Sequence, residues 1–138
     1  VGAAAHAGMV LTCTFAARVD VKTLSEEIKT LRFPDGQVYL GRGEQIKAFE
    51  ILIPDPTMRS TVSRKHISIN NNLLTCLGTN PVYLSGRPVP PQQSATISVG
   101  AEIGFAIVEN NAANIILAFK VTQIQGAGAQ AAAPQAAP

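Results

Sequence analysis

The chain has little charge, few aromatic residues and no long apolar run, and each shortage removes a class of function. Only 14% of its 138 residues are Asp, Glu, Lys or Arg, and the formal net charge is +2. A protein that neutralises a run of nucleic-acid phosphates needs a basic stripe. Here Arg59, Arg64, Lys65 and Arg87 form only a small cluster and aromatics are 5% of the chain, so no specific nucleic-acid partner is expected. The modest positive balance still suits one small anionic ligand. No apolar stretch approaches the ~18 residues needed to span a bilayer. The two cysteines, Cys13 and Cys76, each fall in a strand-like run and read as reduced, buried thiols rather than a disulfide. No metal-ligand spacing is present, and no Gly-rich phosphate loop with its lysine. Of the two histidines, His6 lies in a flank. Pairing Cys76 or Ser63 with His66 lacks a third, orienting group, so an enzyme is not expected and neither is a cofactor.

What is present divides the chain into three. Residues 1–8 (VGAAAHAG) and 125–138 (QGAGAQAAAPQAAP) are Ala/Gly/Pro/Gln-rich and read as disordered flanks, with one foldable domain over 9–124. Within it, strand signals dominate. Val10 to Val19 places Leu11, Cys13, Phe15 and Ala17 at period two. Phe33-Pro34-Asp35-Gly36 is a turn signature and Gln37 to Leu40 resumes extended structure. The short apolar run Phe49 to Ile53 ends at the Pro54-Asp55-Pro56 breaker. His66 to Ile69, Leu73 to Leu77, Pro81 to Leu84, Ala95 to Val99, Glu102 to Val108 and Ile115 to Ile124 complete the series. The one helix-like window is Lys22 to Leu31, with Leu24, Ile28 and Leu31 at helical spacing. It is either a short helix or an irregular connection. Many short strands with frequent turns imply an all-β sandwich or barrel.

Four local features carry chemistry. Gly41-Arg42 follows an early strand, where flanking glycines let the backbone turn and leave the guanidinium open. Ser63-Arg64-Lys65-His66 is a polar, basic loop leading into a strand about twenty residues on. Thr79-Asn80 opens a tight turn, and Ser85-Gly86 makes another after a short strand. Gly100-Ala101-Glu102-Ile103 feeds a late strand. Each alone is an ordinary turn or solvated charge.

In this order and spacing they resemble the forkhead-associated (FHA) family over roughly Val10 to Val121. That resemblance implies an eleven-stranded β-sandwich whose loops at one end bind a phosphothreonine-containing segment of a partner protein. It implies that Arg42 contacts the phosphate and peptide backbone and that Ser63 donates its hydroxyl to a phosphate oxygen. Arg64 adds a second cation, Thr79 supports the phosphothreonine, and Asn80 fixes the peptide main chain just beyond it. Gly41, His66 and Gly86 match scaffold positions. The residue types suit a dianion with several strong acceptors, because arginine offers a planar donor fork and hydroxyls add further donors. Three features depart from the family pattern, one being Ser85-Gly86 in place of the later Asn-Gly turn. The usual Asn-Gly-Thr turn is Asn80-Pro81-Val82, and Thr61 stands where relatives that prefer an acidic flanking residue carry a base. The resemblance also implies a non-catalytic module of phosphorylation-dependent signalling, monomeric as an isolated domain, intracellular and often nuclear. The rival reading is a phosphate-independent FHA-like scaffold or oligomerisation domain.

Overall fold

The computed structural model describes residues 8–33, 37–70, 72–110 and 112–124. The flanks read as disordered (1–7 and 125–138) and the turn at 34–36 lie outside the described residues. Ten strands form among the described residues, where the resemblance implies eleven. They are β1 (Met9–Ala16), β2 (Thr30–Phe33), β3 (Gln37–Leu40), β4 (Ile67–Asn70), β5 (Leu73–Cys76), β6 (Val82–Leu84), β7 (Arg87–Val89), β8 (Ser94–Thr96), β9 (Glu102–Glu109) and β10 (Ala112–Ile124). A six-stranded sheet in the order β2-β1-β10-β9-β6-β7 faces a four-stranded sheet in the order β3-β4-β5-β8, and all pairings are antiparallel. This is a β-sandwich, as the frequent short strands imply.

Three local outcomes differ from the periodicities. In β1 the pairing slips between Cys13↔Phe119 and Phe15↔Ala118, so Thr14 is an extra, bulged residue. The bulge resets the alternation. Leu11 and Cys13 are buried, but Phe15 turns outward and Ala16 takes the inward position. The apolar run Phe49 to Ile53 is helical rather than extended: Phe49 to Leu52 belong to α2 (Ile46–Leu52) and Ile53 is its C-cap. Its buried members Phe49, Leu52 and Ile53 fall at i, i+3 and i+4, the spacing that puts them on one helix face. The window 22–31 resolves into a 3-10 turn (Val21–Thr23), a single helical turn α1 (Glu26–Lys29) and then β2. A third short helix, α3 (Pro56–Arg59), starts with Pro56 at its first turn and is capped by Asp55, whose carboxylate accepts from the Thr57 and Met58 amides. Strand β7 went unread because Pro88 interrupts it. Its hairpin with β6 turns on Ser85 and Gly86, both at positive φ (50° and 89°), the backbone that a tight two-residue hairpin loop requires.

The core lies between the sheets, and Phe105 of β9 is its centre. Its ring meets Phe49 at 5.7 Å, His66 at 5.3 Å and Phe119 at 6.4 Å between centroids, each nearly perpendicular. Edge-to-face pairs of this kind add to the burial of the rings. Phe105 therefore joins the helical insertion (Phe49), the residue that enters β4 (His66) and the neighbouring strand β10 (Phe119) through one side chain. Truncation to alanine removes all three contacts and leaves a cavity that helices and strands cannot both close. Phe105→Ala is expected to cost about 3–5 kcal/mol, measured as a fall in the urea midpoint at unchanged slope.

Candidate functional site

Sheet register decides which loops meet. Leu40 of β3 pairs with Ile67 of β4, and Ile67 pairs with Cys76 of β5. The chain leaves β3 after Leu40, enters β4 at Ile67 and leaves β5 after Cys76, so three connections emerge from one row of the four-stranded sheet. They carry Gly41-Arg42, Ser63 to His66, and Thr79-Asn80.

Backbone hydrogen bonds then bind these connections to one another. The Arg42 amide donates to the Ser63 carbonyl (3.2 Å), the Gly43 amide to the Arg64 carbonyl (3.1 Å) and the His66 amide to the Leu40 carbonyl (2.8 Å). This close approach needs glycine at 41, since a Cβ there would lie 2.1 Å from the Arg64 carbonyl oxygen. Gln45 braces the first loop: its Oε1 accepts from the Gly41 amide (3.0 Å) and its Nε2 donates to the Tyr39 carbonyl (2.8 Å).

His66 is the fastener. The imidazole is buried (1% exposed), its Nδ1 accepts from the Ser63 amide at 2.9 Å, and its Nε2 lies 2.9 Å from the Asn80 carbonyl. Because a backbone amide can only donate, Nδ1 carries no proton, and the single ring proton sits on Nε2 and is donated to Asn80. Burial disfavours the charged form and holds the pKa below 6.5, partly opposed by the bond to Asn80. Gly78 lies against the ring, and a Cβ there would come within 2.6 Å of three ring atoms. The Cys76 thiol, its pKa raised by burial, also donates to the Asn80 carbonyl (3.3 Å).

With the backbones fixed, the candidate side chains are left partly free. Arg42 spends only Nε, which donates to the Val62 carbonyl at 2.6 Å, so its four Nη N–H groups are unspent. Ser63 Oγ accepts from the Thr79 amide at 3.3 Å, which leaves the hydroxyl proton to donate. The Asn80 Nδ2 donates to the Thr61 carbonyl at 2.9 Å, leaving Oδ1 and a second N–H. Arg64 is exposed, and its stem lies against Gly43. Among the described residues the one ion pair is Lys29 with Glu26, so Arg42, Arg64 and Lys65 have no carboxylate partner. Lys65 instead lies over the Tyr39 ring, 4.4 Å from its centroid. The arrangement is a patch of cationic and hydroxyl donors in which, among the described residues, no carboxylate pairs with a cation.

No protein-family model matches the chain, and no curated protein matches it in sequence. Solved structures do match. The chain superposes on the FHA domain of an Arabidopsis thaliana hypothetical protein with a TM-score of 0.53 and 16% identity, covering 88% of this chain and 89% of that one. The fold is that of a forkhead-associated domain. An engineered FHA domain with a Myc-pTBD peptide gives 0.53 and 19% identity over 91% and 98% of the two chains. The N-terminal FHA domain of Rad53p from S. cerevisiae, in complex with a phosphothreonine peptide, gives 0.50 and 20% over 89% and 98%.

In this FHA fold, seven of the eight residues singled out in the sequence lie on the three joined loops: Gly41, Arg42, Ser63, Arg64, His66, Thr79 and Asn80. Gly86 does not. It occupies the β6–β7 turn, at the opposite end of β6 from Asn80. Gln45, Gly78 and Cys76 belong to the site and were not singled out. Gly78 is legible only as a turn residue, and nothing in the sequence distinguishes Gln45.

The His66 geometry makes stability depend on pH. Above 6.5 the imidazole is neutral whether the chain is folded or not, and its contribution is complete. Below 6.5 the unfolded chain binds a proton that the folded one resists, so stability falls as pH drops through the depressed folded value. The melting temperature is expected to be flat from pH 8 to 7 and to decline from 6.5 towards 5. A His66→Gln variant is expected to melt lower at neutral pH and to lack that decline. Parallel curves for the two proteins contradict this account.

Proposed function

We propose that the chain is a phosphothreonine-peptide-binding module that recruits one protein to another, reversibly, after a kinase has acted. The observation that carries this reading is the convergence of Arg42, Ser63 and Asn80 on loops clamped by His66, each with unspent donors and with no carboxylate on the cations. A phosphate monoester supplies the missing charge and acceptors. Asn80 carries both a donor and an acceptor, which suits an extended peptide main chain. Two of the FHA structures that resemble the chain, at 19% and 20% identity, hold peptides, and that of Rad53p holds a phosphothreonine peptide. A catalytic role fits poorly, because both nitrogens of the buried His66 are already engaged by backbone groups.

Hydrogen bonds to charged groups contribute roughly 1.5–3 kcal/mol each. Three or four of them, less the cost of ordering the peptide, correspond to micromolar affinity, about −8 kcal/mol. One threonine methyl is worth ~1–3 kcal/mol, so phosphoserine binds more weakly rather than not at all.

The test is fluorescence polarisation against oriented phosphothreonine, phosphoserine and unphosphorylated peptide libraries. Phosphothreonine peptides are expected to bind selectively. Arg42→Ala is expected to weaken binding by about 10- to 100-fold, the value of one charge-assisted contact, with only a small fall in melting temperature from the lost bond to Val62. Undiminished affinity in a folded Arg42→Ala protein would remove the assigned site. Failure of the folded parent to bind any library would favour the phosphate-independent scaffold.

A further inference from the structure

A second concave feature lies on the outer face of the six-stranded sheet, around the end of β6 opposite Asn80. It is a cavity of about 280 Å³, and its lining includes Tyr83, Gly86, Glu102, Gly104, Ile115 and Ala118. Register explains why it is hollow. Tyr83 pairs with Gly104, Gly104 with Ala118, and Ala118 with Phe15, so four strands contribute one row. The two middle members have no side chain and a single methyl, and the two ends are aromatic. Phe15 is 45% exposed because the β1 bulge turns it to this face. Ile115 leans over Gly104, where a Cβ would approach its Cδ1 to 3.2 Å. Val108, also exposed, extends the apolar surface along β9.

One charge stands at the rim. Glu102 is fastened to the β6–β7 turn by two bonds: its amide donates to Ser85 Oγ (3.2 Å) and its carbonyl accepts from the Ser85 amide (2.7 Å). The Thr14 hydroxyl donates to the carboxylate at 3.1 Å. Lys120 is the cross-strand partner of Glu102, yet the two form no ion pair. Ser85 thus holds the Glu102 backbone and Thr14 its carboxylate, and no cation pairs with the carboxylate among the described residues. An apolar hollow with a phenol ring on one wall and an anion at the rim fits an aliphatic stem that ends in a cation.

We propose that this outer face is a second docking surface, taking an arginine or lysine side chain flanked by apolar residues on a partner protein. Its stem lies on Gly104, Ala118 and Ile115, its cation meets Glu102 and the face of Tyr83, and its apolar neighbours cover Phe15 and Val108. Arginine is preferred, because a planar guanidinium both stacks on the ring and pairs with the carboxylate. No residue of the phosphopeptide reading takes part except Gly86, whose turn forms one edge of the hollow, so the two proposals stand or fall separately.

The experiment is a nitrogen–proton correlation NMR titration of the whole chain with acetyl-Leu-Arg-Leu-amide, and with its norleucine and glutamate counterparts. The arginine probe is expected to produce saturable shifts grouped at residues 83–86, 102–104 and 113–118. The norleucine probe is expected to bind about fivefold more weakly, the value of one exposed ion pair, and the glutamate probe weaker still. Glu102→Gln keeps the size and the Thr14 bond, and is expected to reduce the arginine probe to the norleucine level. Ala118→Leu fills the hollow and is expected to abolish the shifts. Absence of shifts on this face, equal binding of arginine and norleucine probes, or indifference to Glu102→Gln each overturns the proposal. So does sedimentation showing a dimer of this chain that Ala118→Leu dissolves, because a second copy would then be the occupant.

Discussion

The arrangement of the three joined loops depends on one buried imidazole. His66 accepts from the Ser63 amide on one side and donates to the Asn80 carbonyl on the other, so a single neutral ring fixes two loops that no sheet ladder reaches. Neutrality is what lets it do both. A doubly protonated ring has no acceptor for the Ser63 amide, and burial keeps that form disfavoured. The ring is held in turn by Gly78 against one side and by the edge-to-face contact with Phe105. Because the backbone is ordered by these contacts, Arg42, Ser63 and Asn80 are already brought together, and in the proposed peptide-binding reading the cost of ordering falls mainly on the partner.

The stretch between Arg42 and Ser63 supports the same end from the other side. It is not a loose connection. Gln45 closes the Gly41 loop, α2 then drives Phe49, Leu52 and Ile53 into the core, and Asp55 caps α3. Arg59 Nη1 donates back to the Ile53 carbonyl at 2.8 Å, which ties the end of one helix to the end of the next. Phe49 meets Phe105 edge to face, the ring that also meets His66. The insertion therefore does not merely span two motif residues; it anchors both to the aromatic centre that also carries His66.

The legibility of this arrangement followed from how local each cause is. Strands with regular alternation, such as that around Leu74, announce themselves, and so do the glycine and asparagine turns. The β1 bulge does not, because an extra residue is a property of pairing with β10 and leaves no trace in β1 alone. The helix at Ile46–Leu52 was hidden by its apolar density: five residues of such a run satisfy a strand and a helical face equally. Among site residues, Arg42, Ser63 and Asn80 stood out by order and spacing along the chain. Gln45 and Gly78 could not, since their roles are a side-chain brace and a space left for a ring, and both exist only once the loops have met. Gly86 shows the reverse error. Its place in the pattern is regular, but strand β6 carries it to the other end.

That displacement bears on how the two proposed surfaces of one small sandwich relate. Strand β6 is three residues long, yet it ends at Asn80 in one direction and at Ser85-Gly86 in the other. Its first end is clamped to His66. Its second is clamped to Glu102, whose strand begins after the Gly100 turn, held by reciprocal bonds between Gly100, Ala101 and Val121. The two clamps share no hydrogen bond and no side chain. Perturbations at well-separated sites without common partners add nearly independently, so, if both proposed surfaces are used, occupation of the outer face leaves the affinity of the loop end unchanged unless both ligands belong to one chain. In that case the second contact becomes intramolecular, and a weak arginine contact on the sheet raises the overall affinity through effective concentration rather than through any change in the fold.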